Sequence, residues 1–234
     1  LNVTSRKNEV CHVTARHVFQ GIAIWREGSS GAGAEHMALD ETMLRLADRP
    51  VLRVYGWAQR EVTFGYPQRW NEARDFAAGR PLTRRCTGGG FVEHGSDSTV
   101  TLAVPAAHPF ARLAPAETYR RIHEAILAAL GGESLRLAGA EDCACGPACF
   151  ASPARHDVLD GARKIAGGAQ RRSREGFLYQ GSVQGAHTGE NFAERLAVAL
   201  AGGITEWRPP TGWESVRDEL VRARYGCAEW NQRR

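Results

Sequence analysis

Residues 163–184 read RKIAGGAQRRSREGFLYQGSVQ. Two strand-length runs, 163–172 and 176–184, flank the polar Ser173, Arg174 and Glu175, and so short a connection makes them a strand pair. Small residues surround Lys164 in the first run, so its stem can pack while its ammonium points into a cavity. The alternative is a solvated strand lysine. Of the 30 basic residues only positions 7 and 164 are lysine, the rest being arginine. A lysine that persists in the interior of such a chain points to chemistry that arginine cannot perform. A fixed ammonium suits a carbonyl oxygen that gains negative charge, or a phosphate.

Outward from this pair, AEHMALDETMLRLAD (34–48) places Leu39, Met43 and Leu46 at helical spacing. VLRVYGW (51–57) and EVTFGYP (61–67) alternate and are expected as two strands with a tight connection. PLTRRC (81–86) and STVTLAVP (98–105) read as two more, with a glycine-rich loop between them. The helix 115–132 opens at Pro115 and ends at Gly131, with Tyr119, Ile122, Ile126 and Leu130 on one face. The stretch 135–156 reads as irregular, and two helices are expected over 190–201 and 213–225. Regular βαβ alternation is missing from this order, which disfavours a Rossmann-type sheet. The expectation is an α+β fold, a largely antiparallel or mixed sheet flanked by helices. One domain is expected over 21–234, with 1–20 as a polar extension or edge element.

The chain has 234 residues, 43% hydrophobic and 24% charged, which is ordinary for a globular protein. Its apolar runs are too short for a spanning helix, and the first 20 residues lack the apolar core of a signal peptide. A cytoplasmic protein without a membrane partner is the default expectation. Six cysteines in a chain of this size without an export signal do not suggest a disulfide framework. The formal charge of +4 is too small and dispersed to argue for nucleic acid, though it suits an acidic protein partner. The run Gln170–Glu175 reads as a solvated turn, since no stacking aromatics interleave its arginines.

Two further stretches could carry chemistry. In Arg84-Arg85-Cys86-Thr87-Gly88-Gly89-Gly90 the glycines let backbone amides approach a ligand, and the arginines with His94 could meet a phosphate or carboxylate. The bland reading is a tight connection between strands. Cys143-Ala-Cys145-Gly-Pro-Ala-Cys149 could supply thiolates to zinc or an iron–sulfur cluster, with His156 or Cys86 as a fourth ligand. Its rival is Cys149 as a lone nucleophile, which requires a nearby positive charge, a base or a desolvating loop.

Several stretches together resemble the lipoate–protein ligase and octanoyltransferase family, the lipoyl branch of the biotin/lipoate A/B ligases. His36-Met37-Ala38-Leu39-Asp40-Glu41 is similar to its N-M-A-L-D-E helix. Arg53-Val-Tyr55-Gly-Trp57 and Thr63-Phe-Gly65-Tyr-Pro-Gln68 resemble its R-x-Y-x-W and S-x-G-x-x-Q strands. The stretch Arg84–Gly90 with His94 resembles R-R-x-[ST]-G-G-G/R-A-V-x-H, and Lys164–Gln170 resembles K-I-x-G-S-A-Q. Tyr225-Gly-Cys-Ala-Glu229-Trp230-Asn231 is also similar to the end of these proteins, and the ordered set spans about 22–231. His36 stands for the usual Asn, and Gly168 for Ser.

The resemblance implies the mixed-sheet core shared with biotin protein ligase and class II synthetases. It implies acyl transfer of an octanoyl or lipoyl group to the lysine of a lipoyl domain. Ala148-Cys149-Phe150-x-x-Pro153-x-x-x-Asp157 is similar to the cysteine-dependent octanoyltransferases, in which that cysteine is the nucleophile. On this reading Cys149 and Lys164 are catalytic. Arg85, Thr87, Gly88, Gly89, Gly90, His94, Gly167, Gly168 and Ala169 would line an apolar tunnel for the chain. A preformed thioester needs no cofactor. The implied partners are an acyl carrier protein and lipoyl-domain proteins such as the glycine cleavage H protein and the E2 of 2-oxoacid dehydrogenases. The G-G-G loop is nearer the ligases, so an ATP- and magnesium-dependent lipoate ligase remains the alternative. A non-catalytic protein that binds metal or holds lipoyl domains is the third.

Overall fold

The computed structural model describes residues 17–26, 31–143, 153–186 and 188–233. Cys145 and Cys149 lie outside the described residues, so the structure does not place the expected nucleophile.

The central strands are β6 (Ser98–Pro105), β9 (Arg163–Arg172) and β10 (Gly176–Val183). The expected pair is there: β10 runs antiparallel to β9, with Gly181 opposite Gly168 and Ser182 opposite Gly167. On its other side β10 pairs antiparallel with β6, and β2 (Val51–Tyr55) pairs antiparallel with β6 in turn. Beyond β2 the sheet becomes parallel through β1 (Phe19–Ile24) and β11 (Ala201–Glu206). The opposite edge adds β8 (Val158–Asp160) and β7 (Leu135–Leu137). The eight strands follow the order β11-β1-β2-β6-β10-β9-β8-β7, a mixed sheet as expected.

Two-residue alternation explains why helices cover both faces. Val100, Leu102 and Val104 of β6, with Phe177 and Tyr179 of β10, point into one core. That core is closed by α3 (Pro115–Leu130) and α4 (Phe192–Leu200), through Ile122, Ile126, Leu196 and Leu200. Ala103 and Leu178 point the other way, to Met37, Leu39 and Met43 of α1 (Gly33–Leu46) and Leu220 of α5 (Trp213–Leu220).

The strands 51–57 and 61–67 are not neighbours. The second becomes β3 (Glu61–Phe64) in a separate three-stranded sheet, parallel to β4 (Leu82–Arg84) and antiparallel to β5 (Phe91–His94). The connection is tied to both sheets by Trp57, whose indole donates to Thr99 of β6 and stacks on His94 of β5. α2 (Trp70–Ala77) covers this small sheet, packing Ala73 with Phe64 and Phe91. The short strands β5, β7 and β8, the exposed β11 and the eight-residue helix α2 escape a pattern reading, as does β1. β1 begins at Phe19, a buried residue two positions inside the stretch read as an extension. After α5 come a π-helical turn (Val221–Tyr225) and α6 (Ala228–Asn231).

Candidate active site

The glycine-rich loop and β9 face one another across a narrow cavity of about 470 Å³, its mouth included. Of the expected site residues, the catalytic Lys164 and the substrate-binding Arg85, Gly89, His94, Gly167, Gly168 and Ala169 line it. Met37, Thr63, Val92, Thr99, Gln180, Gly181 and Ser182 complete the wall. Thr87, Gly88 and Gly90 do not line it. Thr87 is buried beside it and donates to Gln180 at 2.7 Å. Gly88 lies on the outer side of the loop, in an open groove with Tyr119, Arg155 and His156. Gly90 offers its carbonyl to Arg85 at 3.0 Å.

The loop takes its shape from the Thr63–Gln68 stretch. The amide of Tyr66 donates to Thr87 O, that of Gly65 to Gly90 O, and Gln68 Nε2 to Gly89 O. A Cβ on Gly65 would overlap the carbonyl oxygens of Gly88 and Gly89, so only glycine allows this approach. Arg84 does not reach the cavity, contrary to its expected meeting with a phosphate or carboxylate, whereas Arg85 lines it. Arg84 is fully buried and donates to the carbonyls of Tyr66, Gln68, Trp230 and Asn231. Asn231 Oδ1 also accepts the Arg84 amide, which explains why the Tyr225–Asn231 stretch accompanies the loop. Arg85 spans Thr63 Oγ1, Gly88 O and Gly90 O at 2.8, 2.9 and 3.0 Å.

The far wall is built from polar side chains that satisfy one another. His94 Nδ1 lies 2.9 Å from Asp97 and Nε2 lies 2.7 Å from Thr63 Oγ1. Burial lowers the His94 pKa, with Arg85 adding to the effect and Asp97 opposing it. Burial also works against ionised Asp97, yet the hydrogen bonds from His94, Ser182 and the Gly95 amide outweigh it and hold the carboxyl below its ordinary range. The network therefore assigns a proton to Nδ1, donated to Asp97, and leaves Nε2 to accept from Thr63. Ser182 Oγ and Thr99 Oγ1 also donate to Asp97. Behind this wall Asp40 accepts from Arg53, Tyr55, Thr101 and Gln180. His36 Nδ1 accepts from Arg53, and burial followed by Arg53 pushes its pKa down to about 3. Polar atoms thus face one another, and the surface left to the cavity is mainly apolar, as expected for an acyl chain.

Lys164 stands in the opposite wall, 8% exposed, its ammonium 2.8 Å from Asp157 Oδ2. The solvated-lysine alternative does not hold. A Cβ on Gly167 would overlap Lys164 Cε and lie 2.6 Å from Nζ, so glycine here makes room for the ammonium. Gly168 also has a local cause. Its Cβ would come 2.5 Å from ring atoms of Tyr179, which is fully buried and bonded through its hydroxyl to His123 at 2.8 Å. Tyr179 fills the space that the Ser expected at this position needs.

Other candidates do not join the site. Cys86 is buried next to Tyr225 and Glu41, and burial pushes its thiol up to about 11. Among the described residues no three His, Cys, Asp or Glu side chains are grouped to hold a metal. Cys143 belongs to the described residues and is exposed. In the arginine run, Arg171 and Arg172 belong to β9 and donate to Cys86 O and Leu113 O, while Arg174 is an exposed turn residue. Asp97, Ser182, Tyr179 and Tyr119 escaped sequence reasoning, although Asp97 follows His94 by three residues in a turn-like stretch. No helix among the described residues is long and apolar enough to cross a membrane.

A glycine-rich loop packed over a lysine-bearing strand of a mixed sheet defines a class of protein. The chain belongs to the lipoyl protein ligase A/B catalytic domain family, matching it over residues 32–202. It is 32% identical over 182 residues to the octanoyltransferase LipM of Kyrpidia tusciae, covering 68% of this chain and 65% of that protein. The match to the LipM of Carboxydothermus hydrogenoformans is 31% identical and covers 64% of it, so the chain spans just under two thirds of these relatives. The LipM of Symbiobacterium thermophilum aligns at 27% identity over 90% of this chain and 98% of its own length. Among solved structures, protein Ta0514 of T. acidophilum with bound lipoic acid superposes with a TM-score of 0.72. It is 20% identical and covers 91% of this chain and 98% of its own. Lipoate-protein ligase A bound with ATP gives 0.66 at 21% identity, covering 92% and 98%. Both share the fold.

Proposed function

We propose that this chain transfers an octanoyl or lipoyl group from a thioester donor to the lysine of a lipoyl domain, through a thioester on Cys149. The observation that carries the reading is the buried ammonium of Lys164 in the wall of a narrow cavity closed by a glycine loop. The A-C-F-x-x-P stretch precedes it, and the relatives are named octanoyltransferases.

The chemistry needs few parts. The Cys149 thiolate attacks the carbonyl carbon of the donor thioester, and the carbonyl oxygen takes up negative charge. Lys164 stabilises that oxygen as the C–S bond to the donor breaks and its thiolate leaves to take a proton. The neutral amine of the lipoyl-domain lysine then attacks the acyl-cysteine. An amide bond forms, the cysteine leaves as thiolate, and the amine's surplus proton passes to solvent. Exchange between thioesters is nearly even in free energy, whereas amide formation is downhill, so no ATP enters. An acyl carrier protein or a modified glycine cleavage H protein fits as donor, and the lipoyl domain of a 2-oxoacid dehydrogenase E2 as acceptor.

The test is intact-protein mass spectrometry after mixing with octanoyl carrier protein in the absence of ATP. The expected result is one octanoyl adduct, removed by hydroxylamine and lost in Cys149→Ser. An adduct or product that needs free acid, ATP and magnesium, with Cys149 dispensable, makes the protein a lipoate ligase instead.

A further inference from the structure

Asp157 is fully buried, and the chemistry above gives it no task. Its carboxylate is nevertheless where several parts of the site meet. Oδ2 takes the Lys164 ammonium at 2.8 Å and the backbone amide of Ala154 at 2.6 Å. Oδ1 takes the Tyr119 hydroxyl at 2.6 Å. Tyr119 OH in turn accepts the amide of Gly168 at 2.9 Å. One carboxylate therefore joins the cavity's ammonium, the glycine step of β9, helix α3, and the backbone that follows Cys149 by five residues.

The surroundings fix the charge balance. A buried carboxylate is costly unless a cation and hydrogen bonds compensate it. His123 stacks on Tyr119 with ring centroids 4.0 Å apart, and burial pushes its pKa down to about 4, so it brings no charge at neutral pH. Lys164 brings the compensating charge. A lysine stem has four rotatable bonds, and without a rigid anchor its ammonium samples many positions.

We infer that Asp157 is the positioning residue of the acyl-transfer site: it fixes the Lys164 ammonium beside Gly167 and, through Ala154, ties the backbone after Cys149 to the same carboxylate. Tyr119 is its brace, since its hydroxyl holds Asp157 and Gly168 together. The role in transfer rests on the proposed function, whereas the fixing of Lys164 does not.

The chain's composition supplies a clean test, because Lys164 and Lys7 are its two lysines. The full chain is trace-labelled with acetic anhydride at pH 8, and the ratio of Lys164 to Lys7 labelling is read by mass spectrometry. Asp157→Asn removes the ion-pair partner and loosens the hold on the ammonium, and the ratio rises about fivefold or more. Asp157→Glu keeps the charge and holds the ratio within about twofold of wild type. In transfer assays both variants lower kcat about 50-fold with KM for the acyl donor little changed, because the ammonium is misplaced by about an ångström. Tyr119→Phe lowers kcat about tenfold on the same grounds. An unchanged labelling ratio in Asp157→Asn, or full kcat in that variant, overturns the inference. If Asp157→Asn does not fold, Tyr119→Phe decides by the same kcat reading. Labelling requires no turnover, so it stands even where Cys149→Ser transfers normally and the thioester route is wrong.

Discussion

The two walls of the cavity are built on different principles. The wall carrying Arg85, His94 and Asp97 is a closed set of hydrogen bonds, with a neutral imidazole between Asp97 and Thr63 and Trp57 stacked on it at 3.9 Å. The wall of β9 is made of glycine and alanine around one buried ion pair, Lys164 with Asp157. Satisfied polar groups define a shape. A fixed charge beside small residues offers electrostatic stabilisation to whatever oxygen is placed there. In the proposed reaction the loop wall therefore shapes the cavity, and the strand wall carries the chemistry.

Substitutions in the strand wall should cost the most. Lys164→Arg keeps the charge but brings a larger planar group into a pocket sized for an ammonium, and transfer should fall about 10³-fold. Wild-type turnover in that variant would reduce the lysine to a generic cation. Gly167→Ala pushes its new methyl into Lys164 Cε, and kcat should fall about 100-fold while the fold survives. A circular dichroism melt run beside the kinetics separates the two effects.

The loop wall should respond mainly in binding. Arg85→Lys cannot reach Thr63, Gly88 and Gly90 together, so the loop loosens and KM for the acyl donor should rise about tenfold with kcat nearly kept. A fall in kcat larger than the rise in KM would mean that the loop takes part in the chemical step.

Behind the strand wall the effects are on stability. Gly168→Ser should cost about 1–3 kcal/mol through overlap with Tyr179. In Tyr179→Leu the same serine should cost about 1 kcal/mol less, a coupling that denaturant melts of the four proteins would measure. The last effect is on the pH dependence of stability. His36 and His123 have pKa values lowered to about 3 and about 4, so the unfolded chain binds more protons than the folded one below pH 6.5. Stability should therefore fall as pH drops from about 6.5 towards 4, by at most about 1.4 kcal/mol per pH unit for each histidine. His36→Asn, the residue the family resemblance expects, should flatten that slope. An unchanged slope would place the acid sensitivity elsewhere.

The strand pair was legible because β9 and β10 are long and joined by a three-residue polar turn. The small sheet was not. β3 and β4 pair in parallel across an intervening helix, and β5 is four residues hidden behind three glycines. Lys164 and Gly167 were legible from composition and motif together. Arg84 was misread because its partners, Trp230 and Asn231, lie 146 and 147 residues away. Asp157 entered only as the last letter of a motif, since nothing local shows that a carboxylate seven positions before a lysine will meet it across a strand turn. Tyr179 gives no signal in the sequence, because one aromatic in a buried strand looks like any other.

One measurement tests the central claim directly. Purified protein, octanoyl carrier protein and an unmodified lipoyl domain are mixed without ATP and followed by rapid-quench mass spectrometry. The account predicts an octanoyl adduct on Cys149 that rises and decays ahead of the octanoylated domain, with both absent in Cys149→Ser and slowed together in Lys164→Arg. Octanoylated domain that appears with no cysteine adduct, or only once ATP is added, would contradict it.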